Sequence, residues 1–585
     1  MYDKWSLEVL YKDFQDEKFQ KDFKKLDELI AQYHALAASL GEESTQDTLT
    51  KTLLLAEEYN GLVGDLFGYC SLMQSTDTSN ADCASYMGQL MQKRSDVTKP
   101  STIIDKYIAG IEDLDAVIGD DPLLSEYSYY LHEIQKADKH LLNEAVEESI
   151  SRMNTSGGAA WSDLQSFLTS SVKVDFRGGT TTLSAIRNMA NSDDAAIRKE
   201  AYEAELACYE KIKDSVAFSL NSIKMQDISE CQMRGFASPL DRVLFNSKMQ
   251  RSTLEALMEA IKEYLPNLRR YLGAKAEALG HQNGLPWYDL FAPVAENSRT
   301  YTVEEAKAYL MDIFGNCNPR MAEITDRAFE EEWIDFFPRE GKLGGAFCAG
   351  VKSAKQFRVL TNYDGSFSGV LTLAHELGHG YHNFMIYDNR PLNMKYSMPV
   401  AETASTFNEN LVTNYAIQNA SSDEEKLALI EGQLCDVTQT ICDIYSRFLF
   451  ESKVVENRST KFMFADDLCK IMLEAQKEAY GEGLDHDYLH PYMWVCKRHY
   501  YNTNRGFYNF PYAFGGLFAR GLYAKYQQEG EKFLEKYNYM LKETPVRSVE
   551  DVAKICDIDL TSKEFWLMSL HSYDEVIAEF KRLVK

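Results

Sequence analysis

Apolar side chains at Phe19, Phe23, Leu26, Ile30, Tyr33, Ala37 and Leu40 follow one another at intervals of 4, 3, 4, 3, 4 and 3 residues. That spacing lays one stripe along a long helix, with charges on the opposite face, and predicts core packing rather than function. Similar patterning runs over residues 47–97 and 124–153. Only Pro100 and Pro122 fall within the first 200 residues, so few breakers interrupt these helices. The pattern changes at residues 172–184, VKVDFRGGTTTLS. Val172, Val174 and Phe176 alternate, Gly178–Gly179 can turn the chain, and a Thr run returns, which predicts a hairpin. Asn191-Ser192-Asp193-Asp194 then offers helix caps before AAIRKEAYEAELACYEKI and marks a boundary near residue 190.

Helical patterning resumes over residues 195–335, broken by the Pro- and aromatic-rich GLPWYDLFAPV at 284–294. Residues 344–363 lose it and hold the second strand signal, QFRVLTNY. We expect this stretch, through Gly344, Gly345, Ala346 and Asn362, to offer a backbone edge to an extended peptide. A helix starts near Gly369, another follows Pro399, and the last third is helical up to a Tyr-rich segment at 499–523. The expected fold class is mainly α, with a small β-sheet beside the helix that starts near Gly369.

Composition narrows the function classes. At about 150 residues per domain, 585 residues suggest about four domains. An apolar fraction of 45% and a charged fraction of 26% describe an ordinary globular chain. Lys+Arg 62 against Asp+Glu 89 leaves a net charge of −27, which repels phosphate backbones and anionic lipid. Nucleic acid and membrane are therefore not expected partners, and no obligate protein partner is evident. No apolar stretch of spanning length and no leader pattern is visible. The 11 cysteines are scattered and contain no CxxC pair, as expected for reduced thiols in the cytoplasm.

The chemistry centres on Leu373-Ala374-His375-Glu376-Leu377-Gly378-His379. Residues four apart on a helix sit one turn apart on nearly one face, so His375 and His379 can meet one ion. Glu376 points slightly aside and can deprotonate a water rather than ligate. The flanking Val370–Ala374 run is apolar, and burying two histidines and a glutamate there is costly without a cation. A catalytic zinc takes three protein ligands and keeps a fourth position open. The third is expected at Glu402, 23 residues past His379 and near the start of the helix after Pro399. Glu409, seven residues on, shares its face and is expected to orient a ligand histidine. His382 lies on nearly the same face as His379 and is expected in the core or behind the ligands.

HELGHGYH followed by AETASTFNE resembles the M3 family of zinc metallopeptidases, and within it the oligoendopeptidase F branch. GGAFC (344–348), the approach to Asn362-Tyr363, and the late segment from Arg498-His499-Tyr500 to Gly506-Phe507-Tyr508-Asn509-Phe510-Pro511-Tyr512-Ala513-Phe514-Gly515 follow that branch's order. Weaker similarity, as in GGAAWSDL (157–164) and LPWYDLFAP (285–293), spreads it over most of residues 110–580. The first 100 residues match only in helical character. The resemblance implies a large helical two-lobed metallopeptidase with a deep central channel and one zinc per chain. It implies hydrolysis of short peptides with folded proteins excluded. It carries the third ligand onto Glu402. It places His499, Tyr508 and Tyr512 against the substrate and transition state.

The expected activity is a zinc-dependent endopeptidase that cuts internal bonds of oligopeptides by attack of water activated by Glu376. A zinc carboxypeptidase or dipeptidyl carboxypeptidase remains open, with Arg498, Arg505 or Arg520 capturing the substrate carboxylate. So does a peptide-binding relative without turnover. The spread of site residues from 375 to about 512 reduces the expected domains to two, a helical part at 1–190 and a catalytic part at 191–585.

Overall fold

The structure, a computed structural model, describes residues 4–295, 299–503 and 505–585. It is predominantly helical with two small sheets, as the patterning predicts. The striped helix spans Glu17–Ala38, with Asp16 accepting from Lys18 N–H at its start and Phe19, Leu26, Leu29 and Tyr33 buried. The stretch expected at 47–97 is two helices, Thr45–Thr76 and Ala81–Ala109. Asp77 Oδ1 accepts from Ser79 N–H and Asn80 Oδ1 from Cys83 N–H, so short polar side chains stop one helix and cap the next.

The chain divides into two compact units that do not follow its order. The first takes Met1–His140, Arg299–Val412 and Lys525–Cys556; the second takes Leu141–Ser298, Thr413–Ala524 and Asp557–Lys585. The boundary expected near residue 190 falls inside the second unit.

In the first unit the three N-terminal helices share a core that reaches Val351 and Leu360 of a three-stranded sheet. The sheet runs β3 (Ile334–Asp335), β5 (Gln356–Leu360), β4 (Phe347–Val351), with β3 parallel and β4 antiparallel to β5. QFRVL is therefore the central strand, paired on both sides, and β4, within the 344–363 stretch expected to offer a peptide edge, is an edge strand beside it. Side chains alternate across β5. Leu360 faces the N-terminal core, Arg358 donates to Ser6 O at 2.7 Å, and Phe357 faces the helix Phe367–Ile386.

In the second unit the hairpin forms at β1 (Lys173–Phe176) and β2 (Gly179–Thr182). Arg177 and Gly178 turn it with φ of 48° and 78°, the two left-handed residues of a tight turn. Long helices at Lys213–Met233, Arg251–Ala278, Ile444–Arg458 and Ala465–Tyr480 build the rest. The Tyr-rich segment becomes a short turn at Arg498–Tyr501 and then, from Phe510, the helix Phe510–Glu529.

Candidate metal centre

The helix Phe367–Ile386 carries the His-Glu-x-x-His motif in the first unit. Ser366 caps it by accepting from Gly369 N–H at 3.0 Å. Two glycines let it sit close to its neighbours. A methyl on Gly378 would stand 2.6 Å from Ala404 O and from Ser405 Cα, the backbone that opens the helix Thr403–Gln418. A methyl on Gly380 would stand 2.5 Å from the Phe357 ring. The motif is pressed between sheet and second helix with no room for a side chain at either point. Asn408 Nδ2 adds a bond to Ala374 O at 3.1 Å that ties the two helices together.

This contact brings the expected ligands to one point. His375 Nε2 and His379 Nε2 are 3.1 Å apart, and Glu402 Oε2 is 3.4 Å from the first and 3.3 Å from the second. The tautomer of His375 follows from its other nitrogen, because Nδ1 donates to Glu409 Oε1 at 2.7 Å. Its Nε2 is left with a lone pair aimed at a second imidazole and a carboxylate. Such a convergence of acceptors is stable only with a cation, or an extra proton, between them. His375, His379 and Glu402 are, among the described residues, the one group of His, Cys, Asp or Glu side chains that could hold a metal ion. Two imidazoles and one carboxylate are a donor set that suits a divalent transition metal such as zinc.

Glu402 immediately precedes its helix, where Ser405 Oγ donates to its Oε2 at 2.9 Å and so aims the carboxylate. Glu402 and Glu409 approach His375 from its two nitrogens, one on the metal side and one behind. Burial opposes the charge of Glu402, but His379 and His375 outweigh it and hold the carboxyl down to about 2. Burial likewise opposes a proton on His375, but Glu409 outweighs it and lifts the group to about 9. The metal-free site thus holds a proton at pH 7 that a metal must displace. Zinc uptake is expected to release at least about one proton per ion and to tighten roughly tenfold per unit from pH 6 to 8. Calorimetry in buffers of different ionisation enthalpy checks this, and a proton count of zero would contradict it.

Glu376 is 5% exposed, and its Oε2 is buried without a hydrogen-bond partner. Burial lifts its carboxyl above the ordinary range against the pull of His375 and His379. His382 is turned away from the donor atoms. Its Nε2 pairs with Thr544 Oγ1 at 2.8 Å and its ring stacks on Tyr396 at 4.1 Å, and burial pushes it down to about 3. Cutting the support behind His375 is expected to weaken the site. Glu409→Ala should lower zinc affinity about 10- to 100-fold, measured by competition with a chelating dye.

The remaining expected residues sit on other elements. Gly344 and Gly345 are exposed at the entry to β4, with Ala346 half-buried. Asn362 Nδ2 donates to Leu343 O at 3.0 Å and Gly345 O at 2.8 Å, so its amide holds that loop in place. His499, Tyr508 and Tyr512 belong to the second unit and form a ring cluster there. Their centroids are 5.4 Å (His499–Tyr508), 6.0 Å (His499–Tyr512) and 5.4 Å (Tyr508–Tyr512) apart. Burial, then Arg447 and Lys497, push His499 down to about 4, so it is neutral at pH 7. Sequence reasoning passed over Gly378, Gly380, Ser405 and Asn408. Their signal was present as small or polar residues interrupting two otherwise buried helices.

The family described as Peptidase family M3 matches residues 188–572, and that described as Oligopeptidase F matches residues 109–173. Oligopeptidase PepF of Bacillus subtilis is 24% identical over 597 residues, covering 100% of this chain and 87% of the relative. A solved structure from Chlamydophila abortus superposes with a TM-score of 0.85 at 20% identity, covering 100% of this chain and 98% of the other. The crystal structure of oligoendopeptidase-F from Enterococcus faecium gives a TM-score of 0.70 at 19% identity, covering 97% and 99%.

Proposed function

The chain belongs to peptidase family M3, and from that premise we propose that it is a zinc-dependent endopeptidase that cuts internal bonds of short peptides. The observation that carries the reading is the meeting of His375 Nε2, His379 Nε2 and Glu402 Oε2 within 3.4 Å of one another. These three side chains would hold one zinc per chain. When bound, the metal supplies Lewis acidity for the scissile carbonyl and for the attacking water.

The chain's own residues do the rest. Glu376 takes the proton of the attacking water and passes it to the leaving amine. Its buried oxygen, unpartnered beside the three donor atoms, supports that role. Glu409 keeps His375 in the tautomer that leaves Nε2 free for the metal. Tyr508 and Tyr512 supply phenolic donors, and neutral His499 an imidazole, for the charge that develops on the carbonyl oxygen. Gly344, Gly345 and Ala346, held by Asn362, lead an extended peptide onto the edge strand β4. His382 serves behind the ligands by packing. By sequence order, residues 1–190 form a helical part and 191–585 the catalytic part, a reading supported by family matches ending at 173 and starting at 188. Substrates are short peptides, and the cytoplasm is the proposed location. Among the described residues no helix is long and apolar enough to cross a membrane.

Of the arginines that an exopeptidase would use, Arg520 is committed, its Nε donating to Ser572 Oγ at 2.6 Å and Nη2 to Ser572 O at 3.1 Å. Quenched peptides blocked at both ends test the proposal. Cleavage that a chelator abolishes and added zinc restores supports it. Cleavage of free C-termini alone would give the carboxypeptidase instead.

A further inference from the structure

The segment that carries Tyr508 is fastened to a buried ion pair. Glu451, in the helix Ile444–Arg458, and Lys224, in the helix Lys213–Met233, are each 1% exposed and meet at 2.5 Å. The same Glu451 Oε1 accepts the Phe507 N–H at 2.9 Å, and its Oε2 accepts from Asn509 Nδ2 at 2.8 Å. One carboxylate therefore grips the residues immediately before and after Tyr508. A second buried pair, Asp227 with Arg242, closes on the same segment. A methyl on Gly506 would stand 3.0 Å from Asp227 Oδ2, and Arg242 Nη2 donates to Thr503 O at 3.4 Å.

Two features show that this arrangement defines a conformation. Phe507 is buried with φ of 53°, a left-handed backbone that a phenylalanine keeps only where its surroundings over-determine it. Its buried N–H is satisfied by Glu451 Oε1. Asn509 then passes the constraint on. Its Oδ1 accepts from Phe510 N–H at 2.5 Å, and its carbonyl accepts from Tyr512 N–H at 3.1 Å, at the start of the helix that bears Tyr512.

A buried ion pair is a weak source of stability, because desolvation offsets most of the attraction. What it does well is fix directions, since a charged acceptor holds several donors at set positions. Between its two gripped neighbours Tyr508 is half-buried, 5.4 Å from both His499 and Tyr512. We propose that Glu451, held by Lys224, is a positioning residue for peptide hydrolysis, fixing the Phe507–Asn509 backbone so that Tyr508 is presented beside His499 and Tyr512. The inference rests on the reading of Tyr508 as a substrate contact.

Steady-state kinetics on the zinc-loaded full chain test it. Asn509→Ala removes one arm and leaves Glu451 with Lys224 and the Phe507 N–H, so no buried charge is abandoned. Its kcat is expected to fall about tenfold or more, since displacement of a positioned group by an ångström can cost up to about a hundredfold, with zinc content unchanged. The paired substitution Glu451→Gln with Lys224→Met removes both charges at similar volume and should lose at least as much. Tyr508→Ala sets the reference, and adding Asn509→Ala to it should cost nothing further, because the arm has nothing left to position. Wild-type kcat in Asn509→Ala alongside an impaired Tyr508→Ala would overturn the clamp and leave the substrate reading standing. Losses that multiply in the double variant would also overturn it. A Tyr508→Ala enzyme as fast as wild type would remove the substrate reading, and the clamp's role with it.

Discussion

Glu376→Gln is expected to lower kcat about 10³- to 10⁴-fold while zinc stays bound at one per chain. Glu376 lies beside the converging donor atoms without being one of them, so His375, His379 and Glu402 keep the ion. Its buried Oε2 has no protein partner, and that atom would face water in the working site. Glutamine keeps the shape but replaces a proton acceptor with an amide. Burial already penalises the carboxylate at this position, so the variant should unfold no earlier than the parent. The distinguishing result is the combination of lost turnover, intact metal and unchanged stability. Loss of zinc along with activity would demote Glu376 from base to ligand support.

Gly378→Ala should cost the metal itself. Its Cβ would stand 2.6 Å from Ala404 O and Ser405 Cα, and backbone at that distance has to move. The helix Thr403–Gln418 would be pushed off the motif helix, and Glu402 and Glu409 travel with it. A ligand shell spread by even a fraction of an ångström leaves the range of metal bonds, so zinc affinity should fall at least 100-fold, with activity following. Gly380→Ala is the control. It strikes the Phe357 ring at 2.5 Å, on the sheet side, and should destabilise the protein by about 1–3 kcal/mol while leaving the ligands together. Equal zinc affinities in the two variants would refute the close-contact argument.

Much of this site was legible because its parts sit on periodic elements. His375 and His379 needed only the helical repeat, and Glu402 and Glu409 only a second helix after Pro399. The distinct duties of the two glutamates follow from Glu402 preceding the helix, where Ser405 can aim it, and Glu409 lying two turns further on. Spacing alone does not supply that. QFRVL is the central strand, and its unbroken burial from Phe357 to Leu360 is what a strand covered on both faces shows. The break at Asp77–Asn80 was missed because capping side chains compete with the helix locally while leaving its hydrophobic period nearly intact. Glu451 and Lys224 were invisible for a plainer reason. Lone charges in a helical pattern look like solvent-facing ones until the fold brings them together over 227 residues.

The wall behind the motif helix comes from late in the chain. Tyr381 Oη donates to Asn538 Oδ1 at 2.5 Å and His382 Nε2 meets Thr544 Oγ1 at 2.8 Å, contacts that span 157 and 162 residues. On the ribosome, His375, Glu376, His379 and Glu402 emerge long before the residues that brace them. At elongation rates of about 5–20 residues per second, the motif waits for on the order of ten seconds or more with its back uncovered. A nascent chain at that stage has its ligands but not its packed site. Metal capture by a packed site therefore waits until the chain has been synthesised past Thr544, when the motif helix can be braced from behind.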